Sequence, residues 1–505
     1  MTDPYWLSTD EAPIVSVCFG TGRFLRSVLV PLLQQPSQRP PVLIQTRSFT
    51  FLEFLRKTAS SDDADGSTVL SFKKYPVETV NYDGTITTDS YEVSGAFSLG
   101  TDESRQAVSS ILLPLCAPHL RVIGVGVTEK GLSSPSTPIM SHLALFLREL
   151  ADLYNKQGCT HSISIINTDN VPLNGSVLHS HMMSYATEET FRTFLETKVV
   201  FHVTMVDRIV SHRPNDPLIP RSEPFPAKAL VVLDPTHDFL LNITKPPSWL
   251  VARGTKEELD DDIALKLQIA NGTHTALACV MAVCGFTNTD QLLKDSKASL
   301  LLDYVDSWVE CQVLPSIGSS QAAQAVWDDW RKRLTHPHFG LSTFFITQNS
   351  ATKGGIRLGP TVRSLLSTQT TITATTAFAY ASLLRFLTPT SNTDGAFRGW
   401  CSTRDVQGDV ATTTYADGLR YNLKEGWYEF RCEDTVAQSL LNRSNETTGS
   451  IVRKYLTGAG QLPADIPDAV VDGIATLYDR MVAGDDPLSL LQELKGKGFQ
   501  TGTAP

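Results

Sequence analysis

The amino-acid sequence predicts an α/β fold, with a doubly wound parallel sheet followed by a mainly α-helical part. Three observations support this prediction. Short buried-strand patterns alternate with helical patterns in the first half of the chain, a glycine turn follows the first strand, and long helical patterns replace the alternation near residue 256. We therefore expect two domains, residues 1–255 and 256–505.

The predicted elements follow from hydrophobic periodicity and turn residues. Strands are expected at 14–19, 41–47, 120–127, 161–166 and 229–233. The Asp83-Gly84 pair predicts a hairpin turn within residues 80–86. Helices are expected at 141–154, 296–313, 321–334, 371–386, 435–441 and 468–481.

The composition is that of a water-soluble globular protein. The 505 residues are 41% hydrophobic and 19% charged, and the formal charge of −10 leaves no basic face for nucleic acid. No apolar run approaches the roughly 20 residues of a membrane span. The N-terminus lacks the basic and apolar stretches of a secretory signal, which favours the cytoplasm. The chain is expected to act on a small molecule, as a monomer or small homo-oligomer.

The cysteines and histidines do not predict a metal site or a disulfide framework. The eight cysteines include no Cys-x-x-Cys pair, and the closely spaced histidines have no carboxylate or cysteine set beside them. Cys279 and Cys284 lie in an apolar helical run and are expected to be buried thiols. We therefore expect no metal.

The glycine turn is the first candidate for a binding site. Gly20-Thr21-Gly22 follows the first predicted strand and opens an amphipathic run. In that context glycines let the backbone approach a pyrophosphate, and the helix N-terminus favours its negative charge. The pattern is incomplete, because Leu25 occupies the place of the third glycine.

The end of the second predicted strand bears on the choice between NAD and NADP. An NAD site would place an acidic residue there, whereas this chain has Thr46-Arg47-Ser48. Arg47 is suited to a 2′-phosphate, which favours NADP, but an arginine that faces water would look the same. The cofactor is therefore expected to be NAD or NADP.

A polar loop follows the fourth predicted strand. Such loops bind ligands in parallel sheets, so Asn170 is a candidate for binding a substrate oxygen, with a turn or capping role as the alternative. Asn174-Gly175 is more typical of a turn. Farther on, Asp207 and Arg208 are expected to form an internal ion pair that fixes a loop.

The most informative helical run is 265–278, which carries an amine, an amide and an imidazole. In a regular α-helix His274 and Asn271 lie roughly 80° and 140° around from Lys266, so the three groups share one side. Lys266 is suited to take a hydroxyl proton, while Asn271 and His274 donate to the oxygen. Chance spacing and close helix packing at Gly272 are the alternatives.

A cationic set lies between two of the C-terminal helical patterns. Lys353, Arg357 and Arg363 are suited to a substrate carboxylate or to hydroxyls, and a solvated cationic turn is equally consistent with the sequence.

Taken together, five segments resemble the long-chain polyol and sugar-acid dehydrogenases, the family of mannitol 2-dehydrogenase, fructuronate reductase and tagaturonate reductase. The matching segments lie in the family's order at residues 19–26, 128–131, 169–175, 205–209 and 266–275. The resemblance covers roughly the first 280 residues, and its Asn-Gly-x-His-Thr and Phe-Leu-Arg sequences are nearer the tagaturonate reductases.

The resemblance implies a Rossmann-type NAD(P)-binding domain, a mainly helical C-terminal domain of the 6-phosphogluconate dehydrogenase type, an active site in the cleft between them, and hydride transfer without a metal. It implies that Lys266 is the general base, that Asn170 and Asn271 bind the oxyanion, that His274 binds substrate, and that Asp207 and Arg208 line the cleft. The residues it implies for cofactor binding are Phe19, Gly20, Thr21, Gly22, Arg23, Phe24, Arg47, Thr128 and Glu129.

One departure concerns proton exchange with solvent, because Ile263 stands where mannitol dehydrogenases tend to have a glutamate. We expect a substrate of the tagaturonate/altronate or fructuronate/mannonate type. A neutral polyol such as mannitol or arabinitol is the first alternative, and a catalytically silent nucleotide-binding module is the second.

Overall fold

In a computed structural model, the chain is described over residues 5–46, 48–59, 72–127, 129–393, 396–404, 413–416, 418–443 and 446–499. It divides into two compact units, Met1–Asp262 and Ile263–Pro505. The division falls inside the helix Lys256–Leu265, whereas the boundary predicted from the sequence falls at the start of that helix. That residues 256–505 form the domain that binds substrate stays a prediction.

The first unit combines strands and helices in alternation. Its strands are β1 (Tyr5–Leu7), β2 (Ser16–Phe19), β3 (Val42–Gln45), β4 (Lys73–Val80), β5 (Ile86–Val93), β6 (Gly95–Ser98), β7 (Val122–Val125), β8 (Ile163–Asn167), β9 (Val199–His202), β10 (Thr204–Val206), β11 (Val210–Arg213), β12 (Asp216–Ser222), β13 (Leu230–Leu233) and β14 (Leu250–Arg253). Its helices are α1 (Val30–Leu33), α2 (Thr50–Ala59), α3 (Asp102–Ala107), α4 (Leu113–Cys116), α5 (Glu129–Leu132), α6 (Pro138–Gln157), α7 (Asn174–Tyr185), α8 (Glu189–Thr197) and α9 (Lys256–Leu265).

The main sheet has the order β1-β6-β3-β2-β7-β8-β9. Its neighbours are parallel except for β1, which runs antiparallel to β6 at the edge. The six parallel strands therefore have the Rossmann order, which confirms the predicted fold class. Strands β2, β3, β7 and β8 are buried at every residue, as expected for a parallel sheet covered on both faces.

Two smaller sheets complete this unit, with the orders β10-β13-β14 and β11-β12-β4-β5. The predicted hairpin joins β4 and β5, which pair Val80 with Ile86. Gly84 in the turn has φ +87°, a conformation that glycine adopts without strain, so the turn signal of Asp83-Gly84 is confirmed.

The second unit is mostly helical. Its helices are α10 (Gly272–Val283), α11 (Gln291–Lys294), α12 (Ser299–Trp308), α13 (Leu314–Ser316), α14 (Gln321–Leu334), α15 (Thr343–Ile346), α16 (Ser350–Lys353), α17 (Gly359–Ser367), α18 (Ala374–Phe386), α19 (Asp434–Leu441), α20 (Thr448–Thr457), α21 (Asp468–Ala483) and α22 (Pro487–Gly496). Every residue of α10 and α18 is buried, so these two helices form the centre of the unit.

The second unit also contains an antiparallel sheet that the sequence analysis did not predict. Its strands are β15 (Ser391–Thr393), β16 (Ala396–Trp400), β17 (Thr413–Ala416), β18 (Leu419–Asn422) and β19 (Trp427–Phe430), in the order β15-β16-β19-β18-β17. Tyr428 of β19 stacks on Phe386 of α18 with ring centroids 4.7 Å apart, which attaches the sheet to the helical core.

Wide π-helical turns interrupt several helices. Within the described ranges they lie at Leu25–Leu29, Val108–Leu112, Lys266–Asn271, Val309–Val313 and Gly354–Leu358. Four of them end two residues before a proline, at Pro31, Pro114, Pro315 and Pro360. Proline has no N–H for the carbonyl four residues earlier and its ring crowds that carbonyl, and a wider turn relieves both problems. No proline follows the turn Lys266–Asn271 at that spacing, so its wide geometry needs another explanation.

No helix in the described part of the chain has both the length and the apolarity needed to cross a membrane.

Candidate active site

A cavity of about 280 Å³ lies where the central strands of the Rossmann sheet end. Strands β2, β3 and β7 end at Phe19, Gln45 and Val125, and β2 pairs with the other two. The chain passes from β2 to β3 on one side and later to β7 on the other, so the cavity lies at the point where such sheets bind nucleotides. Its lining residues are Gly20, Thr21, Gly22, Gln45, Thr46, Ser48, Gly126, Val127, Gly131 and Ile139.

Gly20 allows the turn after β2 to lie directly against the end of β7. Its φ is +98°, and a Cβ at this position would come 2.1 Å from the carbonyl oxygen of Gly126. The N–H of Gly20 donates to Ile44 and the N–H of Gly126 donates to Phe19, at 2.8 and 2.7 Å. The first glycine is therefore required by both conformation and space.

The missing third glycine is compensated on the neighbouring strand. Leu25, at 0% exposure, lies over Gly126, where an added Cβ would be 2.7 Å from the Leu25 Cβ. At Gly124 an added Cβ would be 2.6 Å from the Leu29 side chain. The close approach of helix and sheet, which the third glycine usually permits, is here permitted by two glycines near the end of β7.

Two arginines lie beside the glycine turn, Arg23 half-buried and Arg26 buried. Burial lowers the pKa of both Arg23 and Arg26, that of Arg26 to about 10. Arg26 donates to the carbonyl oxygens of Thr21 and Leu218, at 2.8 and 2.6 Å, and lies over the Phe51 ring. Arg26 therefore fixes the glycine turn, a role that the sequence analysis did not assign. Phe24, predicted to bind cofactor, packs against the core on one side of the sheet.

The loop after β3 offers hydroxyl groups rather than a carboxylate. The Gln45 side-chain amide donates to the hydroxyls of Ser48 and Thr50 at 2.7 and 3.1 Å, and its oxygen accepts the N–H of Phe51. None of the described residues that line the cavity is acidic. The side chain of Glu129 lies outside the described residues, as do Arg47 and Thr128.

The loop after β8 contains Asn170, which is exposed. Beside it, Asp169 accepts the N–H of Val127 at 3.2 Å, which connects this loop to the end of β7. Asn174 is fully buried and donates to the carbonyl of Asp169 and to Thr204. Asn174 therefore holds the loop in place, and the role of Asn170 in binding an oxygen stays a prediction.

Arg208 has the contacts of a structural residue. Its guanidinium donates to the Ser27 carbonyl at 2.6 Å and twice to the Glu223 carbonyl, and lies 3.5 Å from the centre of the Phe225 ring. Ser27 lies four residues before Pro31, which has no N–H for that carbonyl, so Arg208 satisfies an oxygen that the proline leaves without its helical donor. Asp207 is half-buried, and a substrate role for either residue stays a prediction.

The helical run that carries the candidate base departs from the predicted geometry. Lys266–Asn271 is a π-helical turn between α9 and α10, in which the N–H of Gly272 donates to the carbonyl of Leu267, five residues back. The angles calculated for a regular α-helix are therefore wrong for this stretch. A π turn is wider than an α turn, and such turns occur often at functional sites.

The three candidate groups of this run differ in exposure. Lys266 and His274 are each 9% exposed, and Asn271 is half-buried. The His274 ring meets the Trp330 ring edge-on, with centroids 4.6 Å apart. Gly272 is closely packed, since an added Cβ would come 3.3 Å from both Trp308 and the Arg357 carbonyl. Close packing, one of the alternatives for the Asn-Gly pair, is therefore present.

The three cations predicted to bind substrate do not make a common set of contacts. Arg357 donates to the Thr275 hydroxyl at 3.3 Å, beside His274. Lys353 donates to the Ile346 carbonyl at 2.7 Å, and Arg363 donates to the Gln461 carbonyl at 2.7 Å. The hydrogen bond of Arg357 reaches the candidate helix.

The predicted buried thiols are confirmed. Cys279 and Cys284 are buried in and after α10, and burial raises the pKa of Cys279 to about 12. Across the described residues no group of three or more His, Cys, Asp or Glu side chains is arranged to hold a metal ion.

Known proteins show similarity to the first unit. Residues 15–235 match the family described as the mannitol dehydrogenase Rossmann domain. Altronate oxidoreductase from Cronobacter sakazakii is 25% identical over 301 residues, which cover 55% of this chain and 62% of that protein. The match thus spans about three fifths of that relative's length.

Two solved structures resemble the fold over nearly the whole chain. Mannitol 2-dehydrogenase from Pseudomonas fluorescens, in a ternary complex with NAD and D-mannitol, has a TM-score of 0.66 at 14% identity, covering 96% of this chain and 95% of that one. A substrate-free D-sorbitol dehydrogenase has a TM-score of 0.65 at 17% identity, covering 96% of both chains. With its glycine turn and strand order, the segment 15–235 is similar to the mannitol dehydrogenase Rossmann domain.

Proposed function

We propose that the chain is an NAD(P)-dependent oxidoreductase that interconverts a secondary alcohol and a ketone on an acyclic sugar acid, without a metal and with Lys266 as the general base. The observation that carries the proposal is the family's glycine turn, found at the nucleotide-binding point of a Rossmann sheet together with a buried lysine in a π turn. These two features support a nucleotide-binding part and a proton-transferring part in the same chain.

The cavity in the first unit fits a dinucleotide. Gly20 lets the glycine turn lie directly against the Gly126 carbonyl at the end of β7, where a Cβ would collide at 2.1 Å. The helix that starts at Arg23 directs its N-terminus toward the glycine turn. Gly20, Thr21 and Gly22 would hold the pyrophosphate, and Thr46 and Ser48 would face the adenosine ribose. When bound, the nicotinamide accepts a hydride from the alcohol carbon or returns one to the ketone.

The proton chemistry is assigned to the second unit. In the oxidation, neutral Lys266 takes the proton of the substrate hydroxyl while the carbon loses its hydride, so the substrate leaves as a ketone. Asn271 and His274 donate hydrogen bonds to the oxygen as it gains negative charge. On the evidence of its motif, Asn170 is proposed as a further donor.

The choice of a sugar acid rests on two observations. Altronate oxidoreductase, a relative named for an acid, is 25% identical over part of the chain. Arg357 donates to Thr275 beside His274, which brings a permanent positive charge to the helix that carries the candidate residues. A guanidinium at that place is suited to a carboxylate.

A substrate panel tests the proposal. Absorbance of NADH and NADPH is followed with tagaturonate, fructuronate and fructose, and reduction of NAD and NADP with altronate, mannonate, mannitol and arabinitol. Turnover of an acid supports the proposal. Turnover of the neutral sugars alone would contradict the proposed sugar-acid substrate and favour a polyol dehydrogenase. No turnover of any compound, together with nucleotide binding, would contradict the proposed oxidoreductase activity.

Lys266→Ala tests the base. We expect turnover near neutral pH to fall by about 10²–10⁴-fold, the usual contribution of a positioned base, with nucleotide binding retained. Lys256→Ala is the matched control, since Lys256 is an exposed lysine paired with Asp260 one helix earlier. Equal rates for the two variants would contradict the assignment.

A further inference from the structure

The π turn Lys266–Asn271 is the one described π turn that no following proline explains. An extra residue in a helix costs backbone hydrogen bonds, so the turn persists where other groups satisfy its carbonyl oxygens. The candidate base begins this turn, and Asn271 ends it. The groups that stabilise this π turn therefore also determine the positions of the Lys266 and Asn271 side chains.

Thr273 supplies the first such group. Its hydroxyl is fully buried and donates to the carbonyls of Ile269 and Ala270, at 2.6 and 3.0 Å. A threonine hydroxyl that bonds back to its own helix in this way slightly destabilises the regular helix and often bends it. The same hydroxyl oxygen accepts the indole N–H of Trp330 on α14 at 2.7 Å.

Thr275 repeats the arrangement two residues later. Its hydroxyl donates to the Asn271 carbonyl at 3.0 Å and accepts from the Arg357 side chain at 3.3 Å. Threonine hydroxyls thus contact three successive carbonyls of the turn, 269–271, with the single Thr273 proton shared between two of them. Each hydroxyl also accepts from a donor on another helical segment. His274 lies between the two threonines.

Trp330 makes a second contact that points to the same role. Its ring meets the His274 ring edge-on at 4.6 Å, and its side chain is 2% exposed. One rigid indole therefore holds the π turn through Thr273 and the imidazole through ring contact. Neither Trp330 nor Thr273 has a group that could exchange a proton with an alcohol near neutral pH.

We propose that Thr273 and Trp330 are positioning residues: the hydrogen bond from the indole N–H to the Thr273 hydroxyl keeps the π turn Lys266–Asn271 open and fixes the His274 ring for the substrate oxygen. This inference rests on the proposed function for its catalytic consequence. Its structural part, the coupling of Trp330 and Thr273 to His274, stands separately.

The test uses conservative substitutions in the full chain. Thr273→Val removes the hydroxyl at nearly constant volume, Thr273→Ser keeps it, and Trp330→Phe keeps an aromatic ring without the N–H. Thr388→Val is the matched control. Thr388 follows α18, and its hydroxyl donates back to that helix at the Leu384 carbonyl and meets an aromatic hydroxyl, that of Tyr478, at 2.8 Å.

We expect kcat for the accepted substrate to fall about 10–100-fold in Thr273→Val and Trp330→Phe, the cost of displacing reacting groups by a fraction of an ångström to one ångström. Thr273→Ser is expected to restore a rate close to that of the wild type. Thr388→Val is expected to lower the thermal midpoint as much as Thr273→Val without lowering kcat. A fall in thermal midpoint with unchanged kcat and KM in Thr273→Val would overturn the proposal.

A readout independent of turnover separates this inference from the proposed function. The imidazole signals of His274 are followed by NMR of histidine-labelled protein, with His274→Gln for assignment. We expect them to shift in Thr273→Val and to stay in Thr273→Ser and Thr388→Val. If they shift while no substrate reacts, the coupling stands and the proposed function fails. Unchanged signals in Thr273→Val would overturn the coupling.

Discussion

Gly20→Ala is the sharpest test of how the glycine turn is built. At φ +98° a residue with a Cβ is strained by roughly 1–3 kcal/mol. The new Cβ would also lie 2.1 Å from the Gly126 carbonyl oxygen, against about 3.3 Å for an ordinary contact. Because that oxygen belongs to the backbone, the turn must move away from the end of β7.

That movement disturbs two backbone hydrogen bonds, Gly20 to Ile44 and Gly126 to Phe19. Overpacking of this kind costs about 1–3 kcal/mol, so we expect Gly20→Ala to lower the free energy of unfolding by about 2–6 kcal/mol in total. Gly22→Ala is the matched control, since its Cβ would lie 3.7 Å from the same oxygen, an ordinary distance. Its free energy of unfolding is expected to stay within about 1 kcal/mol of the wild type.

The assay is urea unfolding of the three proteins, followed by tryptophan fluorescence, with an NADH titration of each folded protein. Gly20→Ala is expected to unfold at lower urea and to bind NADH weakly. Equal stability of the two alanine variants, with NADH binding retained by Gly20→Ala, would refute the reasoning.

Four further predictions follow from the structure. Gly126→Ala should lower the free energy of unfolding by about 1–3 kcal/mol, and by less in a Leu25→Ala background, in urea unfolding; additive effects would contradict the packing of Leu25 on Gly126. Arg208→Lys should lower it by about 2–4 kcal/mol with KM unchanged, whereas a raised KM at normal stability would make Arg208 a substrate residue. Burial lowers the pKa of His202, so the contribution of this histidine to the free energy of unfolding is full above the unfolded pKa of about 6.5 and is lost as the pH falls below it, by up to about 1.4 kcal/mol per pH unit. His202→Gln should flatten this pH dependence in urea unfolding between about pH 7 and 5, and equal slopes for the two proteins would contradict the prediction. Ser48→Asp should raise the ratio of kcat/KM for NADH over NADPH by about tenfold or more, and an unchanged ratio would exclude this loop from ribose recognition.

The Rossmann sheet could be predicted because its signals are local. The mostly apolar, buried runs of β2 and β7 each end just before a glycine, and Asp83-Gly84 marks a hairpin turn. The five-stranded sheet of the second unit was missed because its strands are short and polar residues are mixed among the aromatic ones. The aromatic-rich run Trp427–Phe430 was the available signal.

The details of the site depend on contacts that periodicity does not report. The π turn at Lys266–Asn271 is held by Thr273, Thr275 and their partners on other helical segments, so a calculation with regular α-helical angles was bound to miss it. The compensation for the absent third glycine was visible in principle, as the Gly124-Val125-Gly126 sequence at the end of β7. The role of Arg208 depends on Pro31, which lies far from it in sequence.

The proline positions give a rule that sequence reading could use. Four of the described π turns end two residues before a proline, so a proline in an otherwise helical pattern predicts a widened turn just upstream. A π turn without that proline then marks a place where side chains have been recruited to hold it. In this chain that place is the segment that begins with Lys266.

The central claim is hydride transfer between a nicotinamide and the carbon of a sugar-acid ketone. Its most direct test is mass spectrometry of the product formed from tagaturonate or fructuronate with NADH or NADPH carrying deuterium at the transferable ring position. We expect one deuterium on the carbon that becomes the secondary alcohol, and we expect Lys266→Ala to lose the formation of that product. An alcohol product without deuterium, or no product from any sugar acid, would contradict it.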